Sequence, residues 1–246
     1  MGEDLTAYLP AELVCKILQY FDLNSLHVVS QLNRFYLRLS LPLIYHQPKF
    51  ATCAQFKKFI SCIKLNLQRL EKTAASQSFF PDNTLLPDTQ AFAHLIKEID
   101  LSVVPSRWHD ITNEDICNCM LLCPNVTMID LSLCELKDTA LAIITKKYGD
   151  KLTHLNLYKC TKVEDFSGIT KHCPNLVFLD LSYTNIEDDE LQKIIQNTHE
   201  TLNWLSLEGC DMITDTSVER LVTCPNLDYI NIQGCYGILN SYDLED

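Results

Sequence analysis

Cysteine is the residue type in this sequence with the most chemical potential, and there are twelve of them. Cys117, Cys119 and Cys123 lie close together, and His172 adjoins Cys173. Crowding of that kind can build a structural zinc site, but such a site needs four converging ligands, usually from paired short-spaced motifs. The tripeptide Cys-Pro-Asn begins at Cys123, Cys173 and Cys224, at intervals of 50 and 51 residues. Equal intervals suggest a repeated structural unit, and most of the thiols fall on repeat positions that account for them without a metal. No metal is expected.

Other chemistry has still less to stand on. The sequence contains no Gly-rich phosphate loop, no G-x-S-x-G and no H-E-x-x-H, and its His and Asp residues are scattered along the chain. Neither catalytic residues nor a cofactor are expected. The start, "MGEDLTAYLP", has no basic segment followed by an apolar core, and no run approaches 18 apolar residues. Gly2 and Thr6 have the spacing of a myristoylation site, but acidic Glu3 and Asp4 and the lack of a basic patch speak against one. Thiol-rich sequence without a secretion signal implies a reducing compartment, cytosol or nucleus, where Cys serves as a small buried side chain. A net charge of −12 disfavours nucleic acid. That charge is uneven: residues 1–95 carry 9 basic and 7 acidic side chains, residues 96–246 carry 11 and 25. Two modules are implied, the second facing solvent or a basic partner.

The elements that would position these residues emerge on alignment. "IKEIDLSVV" at 96, "VTMIDLSLC" at 126, "LTHLNLYKC" at 152, "LVFLDLSYT" at 176, "LNWLSLEGC" at 202 and "LDYINIQGC" at 227 share one template. It reads apolar-x-x-apolar-x-apolar-x-x-Cys, with starts 30, 26, 24, 26 and 25 residues apart. Amphipathic segments such as "KDTALAIITKKYG" and "DDELQKIIQNTH" separate the copies and carry apolar residues at helical spacing. "ITNED", "LKD", "IEDD" and "ITDTS" precede helices and supply short polar side chains able to cap them. The Cys of each Cys-Pro-Asn reads as the apolar end of a helix that Pro then stops.

This pattern resembles the cysteine-containing class of leucine-rich repeats, in which Cys takes the place usually held by Asn. The resemblance implies an α/β solenoid with parallel strands on the concave face and helices on the convex face. Each unit cannot bury its own apolar side, so stacking must do it. Leu155 and Leu157, Leu179 and Leu181, and Leu205 and Leu207 are expected inside. Cys134, Cys160, Cys210 and Cys235 would form a ladder under the strand-to-helix turn, with thiols donating weakly to carbonyls; Val104 and Thr184 interrupt it.

Residues 1–48 read as short helices, with Pro10 suited to the first helical position and Leu13, Val14, Ile17, Leu18 and Phe21 forming a wide apolar stripe. Asn24 or Ser25 is expected to cap the second helix, which carries Leu26, Val29 and Leu32. Leu9-Pro10-x-Glu12-Leu13, Ile17-Leu18, Leu26, Ser30 and Leu32-Asn33-Arg34 resemble an F-box, with Phe21 where Leu is common and Tyr45 where Trp is common. A three-helix unit of this size is barely large enough to fold alone and gains from a partner. An F-box ahead of leucine-rich repeats resembles the substrate receptors of cullin-RING ubiquitin ligases. By that resemblance, Leu9, Pro10, Ile17, Leu18, Leu26 and Val29 would meet a Skp-type adaptor and, through it, a cullin. The alternative is a non-catalytic leucine-rich-repeat scaffold or inhibitor whose first helices are only a cap.

Residues 49–95 join the two modules. Phe56, Phe59, Ile60, Ile63 and Leu67 share one side of a helical stretch expected to cap the first end of the solenoid. The polar stretch 73–90 reads as a loop, either a tolerated insertion or a recognition arm. Over 96–246, strand alternation predicts three outward columns. Glu98, Met128, His154, Phe178, Trp204 and Tyr229 form one, and Asp100, Asp130, Asn156, Asp180, Ser206 and Asn231 the centre. Ser102, Ser132, Tyr158, Ser182, Glu208 and Gln233 form the third. Phe178, Trp204 and Tyr229 either anchor a protein substrate or stack on one another. Asp100, Asp130 and Asp180 would favour a basic segment of that substrate, with His154 and Tyr158 also in reach. Six strands span about 25 Å, enough for a peptide or loop. At the far end, Tyr236, Ile238 and Leu239 are expected to cover the last core layer, ahead of an acidic tip.

Overall fold

The computed structural model describes residues 9–76, 92–221 and 223–239. Helices α1 (Ala11–Leu18), α2 (Leu23–Ser30) and α3 (Arg34–Tyr45) come first, followed by the long α4 (Cys53–Ser76) and a 3-10 turn at Phe92–Leu95. Strands and helices then alternate: β1 (Glu98–Asp100), α5 (Arg107–Asp110), α6 (Asn113–Leu122), β2 (Met128–Asp130), α7 (Asp138–Tyr148), β3 (His154–Asn156) and α8 (Ser167–His172). The series ends with β4 (Phe178–Asp180), α9 (Asp188–Thr198), β5 (Trp204–Ser206), α10 (Asp215–Leu221) and β6 (Tyr229–Asn231). The stretch anticipated as a loop at 73–90 begins inside α4; its remainder, the acidic tip and Gly2 lie outside the described residues.

The fold is α/β, with six parallel strands paired in chain order. Parallel pairing requires a crossover, and a helix supplies each one. Ile99, Ile129, Leu155, Leu179, Leu205 and Ile230 line up in one row. The first five are buried, as are Leu157, Leu181 and Leu207. Neighbouring helices α6 to α10 pack one on the next, enclosing this row between helices and sheet. Full burial stabilises each such leucine by about 1.5–3 kcal/mol.

The thiols belong to this core. Cys160 Sγ donates to the Leu131 carbonyl at 3.2 Å, Cys210 to Leu181 at 3.0 Å and Cys235 to Leu207 at 3.0 Å, each one unit back. Thr184, standing in the gap, donates to Leu181 at 2.6 Å. Cys123 and Cys173 end α6 and α8. The Asn of each Cys-Pro-Asn binds the preceding unit: Asn125 donates to the His94 carbonyl at 2.8 Å, Asn175 to Asp150 at 2.8 Å and Asn226 to Glu200 at 2.7 Å. Among the described residues, no group of three or more His, Cys, Asp or Glu side chains is placed to hold a metal.

Capping differs from expectation. Thr112 closes a capping box with Asp115 on its own helix. At α7 and α9 the N-caps are Lys137 and Glu187, which make no side-chain cap bond. Asp138 and Asp188 sit one position later, inside the helix, and point sideways. Asp138 accepts from the Glu164 and Asp165 amides, and Asp188 from the Thr214 amide at 3.0 Å and the Ser217 hydroxyl at 2.5 Å. Asn113 likewise accepts from the Lys137 amide. These side chains brace the next unit's loop. In α2 the cap is Asp22, which accepts from the Ser25 amide at 2.9 Å, and neither Asn24 nor Ser25 fills that role.

The described residues form two separate cores. Val14, Leu18, Leu26 and Ile44 form a small one among α1–α3. The other runs from Phe50 through Phe56, Ile60 and Ile63 of α4 to Cys235. The two regions meet where Tyr45 stacks on Phe92 at 4.7 Å and the His46 carbonyl accepts from the Lys97 and Glu98 amides at 2.9 and 3.1 Å. Within the sheet, the Lys97 carbonyl does the same for Thr127 and Met128, and the Thr127 carbonyl for Thr153 and His154. His46 therefore extends the ladder by one rung and covers the β1 edge. The last edge is less covered than expected. Ile238 packs on the core, but Tyr236 and Leu239 are 83% and 86% exposed. Each lies beyond the last described helix crossover.

Candidate binding face and docking helices

All-parallel sheets are ordinarily covered on both faces. Here the described helices cover one, and the flanking residues of each strand emerge on the other. The pairing register sets Glu98, Met128, His154, Phe178, Trp204 and Tyr229 side by side. Their rings stack: His154 on Phe178 at 5.8 Å, Phe178 on Trp204 at 4.1 Å, and Trp204 on Tyr229 at 4.9 Å, with interplanar angles of 16°, 10° and 6°. The stacking alternative therefore holds, and it leaves ring edges and the half-exposed Tyr229 toward solvent. Tyr158 stands apart from this row. It meets Tyr183 edge-on at 5.6 Å, and the Lys159 ammonium lies over both rings.

The central column turns the chain out of each strand. The Oδ1 atoms of Asp100, Asp130, Asn156, Asp180 and Asn231 each accept the amide two residues on, at 2.9–3.0 Å. The residue after that amide adopts a left-handed backbone at Leu133, Lys159, Tyr183 and Gly234, and Gly209 does the same after β5, where Ser206 stands in the column. Gly209 is needed there for a second reason: an added Cβ would lie 2.5 Å from the Tyr183 ring. Tyr183 donates to Glu208 at 2.5 Å; this bond, then burial, pushes its hydroxyl up to about 12. Tyr183 and Lys159 escaped the sequence reading, in which Glu208 was only a member of the third column, because only adjacent units bring the three together.

Asp180 is nine-tenths buried, and burial pushes its carboxyl up, so it does not belong with the open carboxylates. Asp100 and Asp130 remain partly open and lie opposite each other across β1 and β2. With Glu98, Met128, His154 and Phe178 they line a cup of about 270 Å3. Burial pushes the His154 imidazole below its usual range, opposed by the charge of Glu98. Glu98 itself meets His46 Nε2 at 2.9 Å, and Gln47 reaches Asp100 at 3.5 Å. No local signal marks His46 and Gln47 as part of this rim.

Among the first helices, the six residues assigned to an adaptor divide. Leu9, Pro10 and Ile17 are exposed and Val29 is half-buried. Leu18 and Leu26, 2% and 4% exposed, fill the small core. They are corrected to core residues, because a three-helix unit must turn its inner stripe on itself. The large apolar side chains exposed on the described helices α1–α3 and their flanks are Leu9, Leu13, Ile17, Tyr20, Phe21, Leu23, Val28 and Leu32.

No family model matches the chain, and no curated protein matches it. Among solved structures it is similar to a chain in the crystal structure of the Rad7 and Elc1 complex in yeast. Identity is 17% and the TM-score 0.45, over 60% of this chain and 47% of that one, so the match spans about half of that chain's length. At that identity and score the likeness says nothing about what this chain binds. No described helix is long and apolar enough to cross a membrane.

Proposed function

We propose that the chain is a non-catalytic substrate receptor of a cullin-RING ubiquitin ligase, an F-box joined to a solenoid of cysteine-containing leucine-rich repeats. Helices α1–α3 dock on a Skp-type adaptor, and the open strand face holds a protein substrate that includes a basic segment. The work is positioning: holding the substrate raises the effective concentration of its lysines near the conjugating enzyme, and the chain itself makes no bonds. The observation that carries this reading is apolar surface on a unit too small to bury it. Leu13 and Ile17 share one face of α1 and are 45% and 48% exposed, beside a core of four buried residues. Covering such side chains stabilises a complex by about 1.5–3 kcal/mol each.

A second reading has its own support. The His46 carbonyl continues the sheet ladder, as a pure cap would, which suits a leucine-rich-repeat scaffold or inhibitor outside the ubiquitin system. Pull-down of the full chain with a Skp-type adaptor separates the two. The receptor reading expects capture by the unaltered chain and loss of capture by Ile17→Glu with an unchanged melting curve. Absence of capture by the unaltered chain overturns it.

A further inference from the structure

We propose that the cup between β1, β2 and β3 receives one arginine side chain of the bound protein. The guanidinium lies against Asp100 and Asp130, and the aliphatic stem lies against Met128 and Phe178. The inference rests on the open strand face being the binding surface.

The first argument is that the negative charge is surplus to the fold. After five of the six described strands the turn uses a side-chain oxygen at the central column, and Asn156 and Asn231 supply it without charge. At Asp100 and Asp130 carboxylates do the same work and face each other across paired strands, where like charges repel. No described residue forms an ion pair with either. Asn156 does donate to the second oxygen of Asp130 at 2.9 Å, which holds that carboxylate in place and leaves its charge uncompensated. A cation between the two would relieve the repulsion.

Size and shape select the kind of cation. At about 270 Å3 the cup falls below the range of pockets that hold drug-sized ligands or cofactors, roughly 300–1,000 Å3, and matches a single side chain. Two carboxylates on adjacent strands, roughly 5 Å apart, offer several acceptors to the planar donor fork of a guanidinium; an ammonium is a point charge. Met128 and Phe178 give an apolar wall for a stem. The cup opens on a sheet face that the described residues leave uncovered, so an extended segment can reach it.

The test uses n-butylguanidinium and n-butylammonium chloride, titrated into the full chain at constant ionic strength. The ring-proton resonances of His154 and the indole resonance of Trp204 report binding. A saturable shift of His154 with the guanidinium is expected, with weaker binding of the ammonium. The double variant Asp100→Asn, Asp130→Asn keeps the turn oxygens, so its melting curve should hold while guanidinium affinity falls roughly tenfold or more. No saturable shift in the unaltered chain overturns the inference. Equal affinity in the double variant, or tighter binding of the ammonium, does so as well. A chain that captures the adaptor but ignores guanidinium overturns the cup alone. Lost capture by the unaltered chain with an intact guanidinium response overturns the docking reading instead.

Discussion

The strand–helix array and the three-helix unit ahead of it draw on the same apolar side chains with different results. In the array each unit shelters its neighbour, so the leucine row, the thiols and even loop amides find partners in an adjacent repeat. Among the described residues, the three-helix unit has no neighbour of its own kind. Its inner stripe closes on Val14, Leu18, Leu26 and Ile44, while Leu13, Ile17 and Val28 stay exposed. Repetition lets a small motif complete itself, whereas a lone motif of similar size keeps surface to offer elsewhere.

Four measurements would break or sharpen that contrast. Thiol reactivity should divide most widely. Burial pushes Cys134 and Cys173 up to about 12 and Cys210 up to about 11, whereas Cys62 on α4 is exposed. At pH 8 the thiolate fraction of a thiol near 12 is roughly a thousandfold below that of an ordinary one. Ellman's reagent should therefore modify Cys62 promptly and reach the array only on unfolding. Prompt reaction of thiols beyond Cys15, Cys62 and Cys117 would mean that the units do not shelter one another.

Leu179→Ala removes a fully buried side chain at the centre of the array. Denaturant titration should register a loss of about 2–5 kcal/mol. Asp188→Ala leaves the Thr214 amide and the buried Ser217 hydroxyl without their acceptor, and should cost about 1–3 kcal/mol. A neutral result would show that bracing between units adds nothing beyond apolar packing. The smallest change in stability, about 0.5 kcal/mol or less, is expected for Ile17→Glu in the three-helix unit, even though the proposed function expects that variant to lose capture by a Skp-type adaptor. A large destabilisation there would place Ile17 in a core and remove the contrast.

Much of the array was legible because its code is apolar and periodic. The spacing of "LTHLNLYKC" and its copies placed Leu155, Leu179 and Leu205 in one row and the aromatic column beside it, and the pairing follows that order. The capping scheme was not legible. Asp138 and Asp188 read locally as caps for their own helices, but their partners are amides 26 residues ahead, a relation that exists only once units stack. The same blindness affected the site. Asp100, Asp130 and Asp180 look alike as letters, yet burial sets Asp180 apart, and Leu18 and Leu26 look as available as Ile17 until the helices close over them.

From its letters alone the chain determined where strands begin, which side chains turn inward and under which turns a thiol lies, since all three follow from a hydrophobic period that any stacking must obey. Tertiary structure alone decided that His46 would extend the ladder, that Asp100 and Asp130 would share a cup, and that the first helices would keep Leu13 and Ile17 outside. The physical reason is the range of the forces involved. Apolar periodicity acts within each unit and survives in sequence, whereas a polar group's partner depends on which distant backbone arrives within about 3 Å of it.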